Sequence, residues 1–164
     1  MGMTGPGPLH IAVIGPGHAT VEECVAAEEV GRRIGEAGAV VVCGGLGGVM
    51  EAACRGAKSV GGTTVGILPG ADRSAANDHV GIAVATGMGE ARNVIVVATA
   101  DAVVAVGGEF GTLSEIALAL RAGKAVIGLH SWELSRRGAP VDGVVPATSA
   151  EEAVTVALER AGAS

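Results

Sequence analysis

The residues best placed to do chemistry lie in the stretch VGGEFGTLSE, positions 106–115. Gly107, Gly108 and Gly111 follow an apolar run, and Glu115 stands three places after Thr112. Two readings fit that order. Thr112 as helix N-cap with Glu115 as the third helical residue makes a capping box, a purely stabilising device. In the other reading a ligand presses against the glycine backbone and the helix-start amides hold an anion. Glu115 then turns outward, where a carboxylate offsets positive charge developing on a sugar or activates water. A capping box has no need of the glycines, whereas a ligand touching the backbone has. If Glu115 is a cap, Glu115→Gln costs about 1 kcal/mol or less.

Three more stretches carry candidates. In GGLGGVMEAACRGA (44–57), Gly44, Gly45, Gly47 and Gly48 stand at a strand-to-helix turn. There the backbone either approaches an anion or packs tightly against a neighbouring element; both want glycine. GPGHAT (15–20) has the first two glycines of a dinucleotide fingerprint but Thr20 in place of the third, which favours a plain tight turn. Arg92 in GMGEARN offers a bidentate clamp for phosphate or ribose, against the alternatives of a solvated helix residue or a partner for Glu90 or Glu115. In LPGADRSAANDHV (68–80), Asp72, Arg73, Asn77 and His79 are polar groups at a strand end that could face a base; a surface loop is the simpler reading.

The elements that must position these residues alternate along the chain. Segments 9–15, 39–45, 63–70, 101–108 and 124–130 are short, rich in Val and Ile, and end at glycine or a polar turn. They predict buried parallel strands, with 79–86 and 143–146 as two further short ones. Between them helices are predicted over 21–36, 47–59, 88–99, 111–122 and 150–161, the first and last opening with capping-box spacings, Thr20 to Glu23 and Ser149 to Glu152. The fold class is α/β: a single-domain, Rossmann-like, doubly wound and mostly parallel sheet with helices on both faces. The whole of 1–164 is read as that one nucleotide-binding domain, with residues 1–8 flexible. Ligands of such sheets bind beyond the carboxyl ends of the strands, where strand order reverses.

Composition narrows the function. Of 164 residues, 49% are hydrophobic and 17% charged, enough for a core and too apolar for disorder. The net charge of −6 and scattered basic residues leave no footprint for a phosphodiester backbone, so nucleic acid is not an expected partner. Cys24, Cys43 and Cys54 form no CxxC pair and read as reduced, mostly buried thiols of a cytoplasmic protein. His10, His18, His79 and His130 are dispersed, so no metal site is expected. No signal peptide or membrane-spanning stretch is recognised.

The motifs GGLGGVMEAACRGA, GMGEARN and GGEFGTLSE, in that order, resemble those of the lonely guy (LOG) family and its relatives, over about residues 10–130. That family carries a proline–glycine–glycine–x–glycine–threonine–x–x–glutamate motif. Gly107, Gly108, Gly111, Thr112 and Glu115 fill it here, with Val106 where the proline stands. The resemblance implies binding of a nucleoside 5′-monophosphate. In the active branch it implies hydrolysis of the N-glycosidic bond to free base and ribose 5-phosphate, with Glu115 and Arg92 as the catalytic pair. Asn93 stands where the family has a lysine after that arginine. The wider superfamily includes molybdenum-cofactor carrier proteins, which implies the alternative of a non-catalytic carrier for a molybdopterin-like ligand. Relatives are often labelled lysine decarboxylases, but neither Lys58 nor Lys124 sits in a recognisable pyridoxal site, and no cofactor is implied. Relatives of this fold that process DNA are disfavoured by the acidic balance. The apolar stretches of the helices over 88–99 and 111–122 predict a homodimer or higher homo-oligomer, paired as the family pairs.

Overall fold

The computed structural model describes residues 7–163. Its strands are β1 (His10–Ile14), β2 (Val40–Cys43), β3 (Thr64–Leu68), β4 (Ile82–Ala85), β5 (Ala102–Val106), β6 (Ala125–Leu129), β7 (Ser135–Arg136), β8 (Ala139–Pro140) and β9 (Val144–Ala147). The helices are α1 (Val21–Glu36), α2 (Val49–Ser59), α3 (Asn93–Thr99), α4 (Phe110–Arg121) and α5 (Ala150–Gly162). A seven-stranded sheet runs in the order β4-β3-β2-β1-β5-β6-β9, and every pairing in it is parallel. The fold is therefore the expected α/β, Rossmann-like one. The two short expected strands are real and form its two edges.

The residues of β2 and β5 are all buried, as are those of β1 after His10. Alternation sends Ile11 and Val13 of β1 to one face and Ala12 and Ile14 to the other. The first face packs under α1, α2 and α5 through Val30, Ile34, Ala53, Ala57 and Val154. The second packs under α3 and α4 through Val96, Val97, Ile116 and Ala119. With both faces covered, each strand reads as an unbroken apolar run.

Three expectations need correction. The helix over 88–99 divides into a tight 3₁₀ turn, Gly89–Arg92, followed by α3. Residues 135–140 form a small antiparallel hairpin, β7 with β8, whose turn holds Arg137 and Gly138 at φ 53 and 79. Ser149 accepts from the Glu152 amide, but the Glu152 carboxylate reaches past it to the Thr148 amide and hydroxyl. At α1 the capping box is complete, with Glu23 N donating to Thr20 Oγ1 and Thr20 N to Glu23 Oε2. Most of the segment 1–8 lies outside the described residues.

Two glycines let α1 and α2 lie against each other. A Cβ on Gly31 would stand 1.9 Å from the Ala53 carbonyl oxygen, and one on Gly56 1.9 Å from that of Glu28. Backbone cannot yield as a side-chain tip can. Gly31→Ala is therefore expected to destabilise by about 1–3 kcal/mol or more, after the gain of about 1 kcal/mol in helix propensity. Gly162→Ala, where the added methyl meets open space, is the control and should leave the melting temperature unchanged or slightly raised. Equal melting temperatures for the two variants would show that the helices can separate at no cost.

Candidate functional site

The chain winds out from β1 through β2, β3 and β4, then returns to place β5 on the other side of β1. Loops leaving β1 and β5 diverge there, and at the carboxyl edge of the sheet they border a hollow of ≈ 350 Å³. Its lining comes from five places. The β1 end gives Gly15, Pro16 and Gly17; the β2 end gives Gly44 and Leu46; Pro69 follows β3; Glu90, Arg92 and Asn93 precede or open α3; Glu109, Gly111, Thr112 and Glu115 open α4.

Arg92 is 8% exposed. Its Nη1 donates to Asn93 Oδ1 at 2.7 Å, and its Nε has no partner in the protein. Gly44 makes room for it, since a Cβ there would lie 2.3 Å from Nη1. Burial pulls the guanidinium's pKa down, and the charge of Glu115 opposes that pull. Asn93, standing where the LOG family has lysine, thus holds the arginine by one hydrogen bond.

Glu115 is not a cap. Helix α4 begins at Phe110 with Glu109 as N-cap and no side-chain capping bond, which places Thr112 third and Glu115 a turn further in. The spacing of three was right for a capping box, but the helix starts before it. Thr112 is 2% exposed, and its hydroxyl has no partner in the protein. Glu115 is 8% exposed. Burial pushes its carboxyl up to about 7, against the attraction of Arg92. A carboxyl at that value is half-protonated at neutral pH and can give or take a proton there. The first turn of α4 presents uncapped amides and a free hydroxyl at the hollow.

The glycines divide in a way their sequence does not betray. Gly44 and Gly111 line the hollow, and a Cβ on Gly111 would meet nothing. The others among the candidates serve contacts within the protein or stay clear of the hollow. Gly45, at φ 77, packs on Leu68, and Gly48, at φ 63, lies under the Pro16 carbonyl. Val49 N donates to that same carbonyl at 3.1 Å, so the start of α2 is already partnered. Gly47 has only an ordinary contact with Gly17. Gly107, at φ 64, lies against the Glu23 carboxylate, and Gly108 lies under the Trp132 indole. The inference that a ligand demands the glycines at 107 and 108 therefore gives way to packing. In the loop after β3, Asn77 donates to Leu46 O at 2.8 Å and receives His79 N at 3.0 Å, while Asp72 caps Ser74. These residues pin the loop and do not line the hollow. Sequence reasoning missed Asn93, Glu90 and Glu109 in the lining; the loop after β1 was signalled only by its place after the first strand.

Cys43 and Cys54 are buried with their sulfurs 3.5 Å apart, and Cys24 is half-buried; all three are free thiols. Either thiol can donate to the other, and their contact lowers the pKa of Cys43 and raises that of Cys54. Among the described residues no helix is long and apolar enough to cross a membrane, and no group of three or more His, Cys, Asp or Glu could hold a metal.

Comparison with known proteins fits this architecture. Residues 8–157 match the model of the SLOG cluster4 family. The chain belongs to that family. It is similar to an uncharacterized protein of Archaeoglobus fulgidus, 51% identical over 121 residues, which are 74% of this chain and 80% of that one. Among solved structures it is similar to the molybdenum cofactor binding protein of the phototrophic bacterium Rippkaea orientalis, with TM-score 0.83 and 37% identity over 93% of this chain and 96% of that one. It is also similar to the molybdenum cofactor carrier protein of Chlamydomonas reinhardtii, with TM-score 0.82 and 34% identity over 96% and 99% of the two chains. The expected likeness to LOG-like and carrier relatives thus holds.

The burial of Glu115 has a measurable consequence. From the ordinary carboxylate value of 4.5 up to about 7, the folded protein holds a proton that the unfolded chain has released. Stability therefore falls as pH rises through that window and levels off above it. Glu115→Gln is expected to abolish this fall and to leave the variant more stable than the parent at pH 8. That reverses the small loss expected of a cap. Denaturant melts at pH 5, 6, 7 and 8 test it, and parallel profiles for parent and variant would mean that Glu115 titrates normally.

Proposed function

We propose that this protein binds the phosphate-bearing end of a nucleotide-like small molecule in the switch-point hollow and acts as a carrier for it, the molybdenum cofactor being the cargo type favoured. One observation carries the reading. The Nε of Arg92 and the hydroxyl of Thr112 are buried, lack partners in the protein, and belong to residues lining the same hollow. Buried polar groups are normally paired. A phosphate oxygen satisfies both, and the uncapped amides of α4 add to the attraction. The chemistry of the donors fits a phosphate monoester, the anionic end shared by AMP and a molybdopterin-like ligand. Support for the carrier form comes from the two solved relatives, a molybdenum cofactor binding protein and a molybdenum cofactor carrier protein.

A second reading, hydrolysis of a purine nucleoside 5′-monophosphate to base and ribose 5-phosphate, is favoured by Glu115 alone. Its carboxyl, ionising near neutrality across the hollow from Arg92, suits either stabilisation of an oxocarbenium-like ribose or transfer of a proton. The LOG proline and lysine are both replaced here, by Val106 and Asn93. That weakens this reading more than it weakens binding.

Native mass spectrometry of the purified protein, followed by incubation with AMP, separates the two. The carrier reading expects a retained phosphorylated ligand or AMP binding, with no adenine released. Adenine release that Glu115→Gln abolishes would replace it with the hydrolase reading. Gly44→Ala pushes only on the Arg92 tip, so it should weaken AMP binding about tenfold or more, the worth of a disturbed charge-assisted contact, with little loss of stability. Unchanged affinity in that variant would remove Arg92 from the site.

The protein is further expected to be a cytoplasmic homodimer paired through α3 and α4. Val94 on α3 is 52% exposed and Met88 before it 50%, which leaves apolar surface uncovered in the single chain. Sedimentation at micromolar concentration should give about twice the 15.9 kDa chain mass; a stable monomer would contradict the pairing.

A further inference from the structure

The chain has one tryptophan, one phenylalanine and no tyrosine. Its two aromatics lie together, Phe110 and Trp132, with ring centroids 5.9 Å apart and planes tilted by 34°. They flank the loop that borders the site, although neither ring lines the switch-point hollow itself. Phe110 lies between Glu109 and Gly111, which both line the switch-point hollow. Trp132 lies on the other side of the same loop, over Gly108, and its Nε1 donates to the Glu109 carbonyl at 3.3 Å. A second hollow, ≈ 390 Å³, is lined by Gly108, His130, Ser131, Trp132 and Glu133. Gly108 and Glu109 are consecutive, so one backbone segment separates the two hollows.

Three properties of the second hollow go beyond packing. The hydroxyl of Ser131 is buried and has no partner in the protein; with Arg92 Nε and Thr112 Oγ1 it completes the orphaned side-chain atoms among the described residues. His130 holds φ 52, a left-handed backbone that a non-glycine residue adopts at a cost. Beside the hollow, Phe110, paired with Trp132, is 81% exposed. A rigidly held indole, an uncovered phenyl ring and a free hydroxyl make a stacking platform with a hydrogen-bonding edge.

We propose that Trp132, Phe110 and Ser131 form a second subsite that takes the planar, fused-ring nitrogen heterocycle of the ligand, while its phosphate sits at Arg92 and Thr112. This rests on the phosphate-binding reading of the first hollow. The ring stacks on the aromatic pair, and Ser131 answers a ring nitrogen or exocyclic group. A purine and a pterin share this chemistry.

Trp132, as the sole tryptophan, reports on the subsite directly. Emission and calorimetric titrations use AMP, 6-hydroxymethylpterin phosphate and ribose 5-phosphate. The two heterocyclic phosphates are expected to change Trp132 emission and to bind more tightly than ribose 5-phosphate, which binds without changing it. The larger gain identifies the ring as purine or pterin. Trp132→Leu should lower the affinity for that heterocycle about 10- to 100-fold, the range for one stacked base. Ribose 5-phosphate affinity should be unchanged, which also shows that the variant has folded. Phe110→Ala, at an exposed position, should lower the heterocycle's affinity by a smaller factor. If all three probes bind equally and emission stays constant, the second subsite is wrong and the phosphate reading stands. If none binds, both are wrong.

Discussion

A charged guanidinium and a carboxyl, each all but removed from water, share one end of a sheet made almost wholly of Val, Ile and Ala. Such burial is tolerated only where the backbone opens a polar space. Here that space exists because β5 returns to lie beside β1 and sends its loop away from the one that leaves β1. The helices cannot close over the gap, since α1 and α2 belong to one face and α3 and α4 to the other. Arg92, Thr112 and Glu115 reach the hollow from the starts of α3 and α4. The reversal of strand order is thus the constraint on which the site depends.

Arg92 and Glu115 are tuned by this setting in opposite senses. Each is desolvated, which disfavours its charge, and each is the other's main compensation. The arginine stays charged because its ordinary value is so high. The carboxyl, starting far lower, is brought to the neutral range, so the cost of burial is avoided largely by holding a proton. Gly44 and Asn93 then fix the guanidinium, the one by leaving space and the other by accepting a hydrogen bond.

The fold was legible because parallel strands covered on both faces leave a simple mark, a short apolar run ending at glycine. Edge strands β4 and β9 showed the apolar run too, although β9 ends at Pro146 and Ala147 and not at glycine. The hairpin at 135–140 did not, being short, exposed and turned by an Arg-Gly pair. Arg92, Thr112, Glu115, Gly44 and Gly111, candidates from residue type, spacing and the family resemblance, all line the hollow. The N-cap of α4 was placed three residues late, at Thr112 and not Glu109, because Thr112 and Glu115 imitate a capping box. Gly107 and Gly108 misled for a different reason. A glycine required by a carboxylate or an indole looks the same in sequence as one required by a ligand. Trp132 and Ser131 carried no signal, since a single aromatic has no periodicity and an orphaned hydroxyl is defined only by its surroundings.

The charge balance of the hollow sets what can bind there. Among the described residues that line it, Arg92 is the one base, facing Glu90, Glu109 and Glu115. Glu90 and Glu109 are exposed and therefore screened, whereas Glu115 is not. An anion seated by Thr112 and the α4 amides would repel an ionised Glu115 across a poorly screened space. That repulsion raises the affinity of Glu115 for its proton, so anion and proton bind together, each strengthening the other by linkage. A single phosphate monoester, held mainly by amides, a hydroxyl and one guanidinium, is compatible with that coupling. A polyphosphate or a nucleic-acid backbone, which calls for several cations, would find one guanidinium among the described lining residues. On the proposed reading, the protonated carboxyl that would ease phosphate binding is a poor stabiliser of positive charge on a sugar, which fits holding a ligand better than cleaving it.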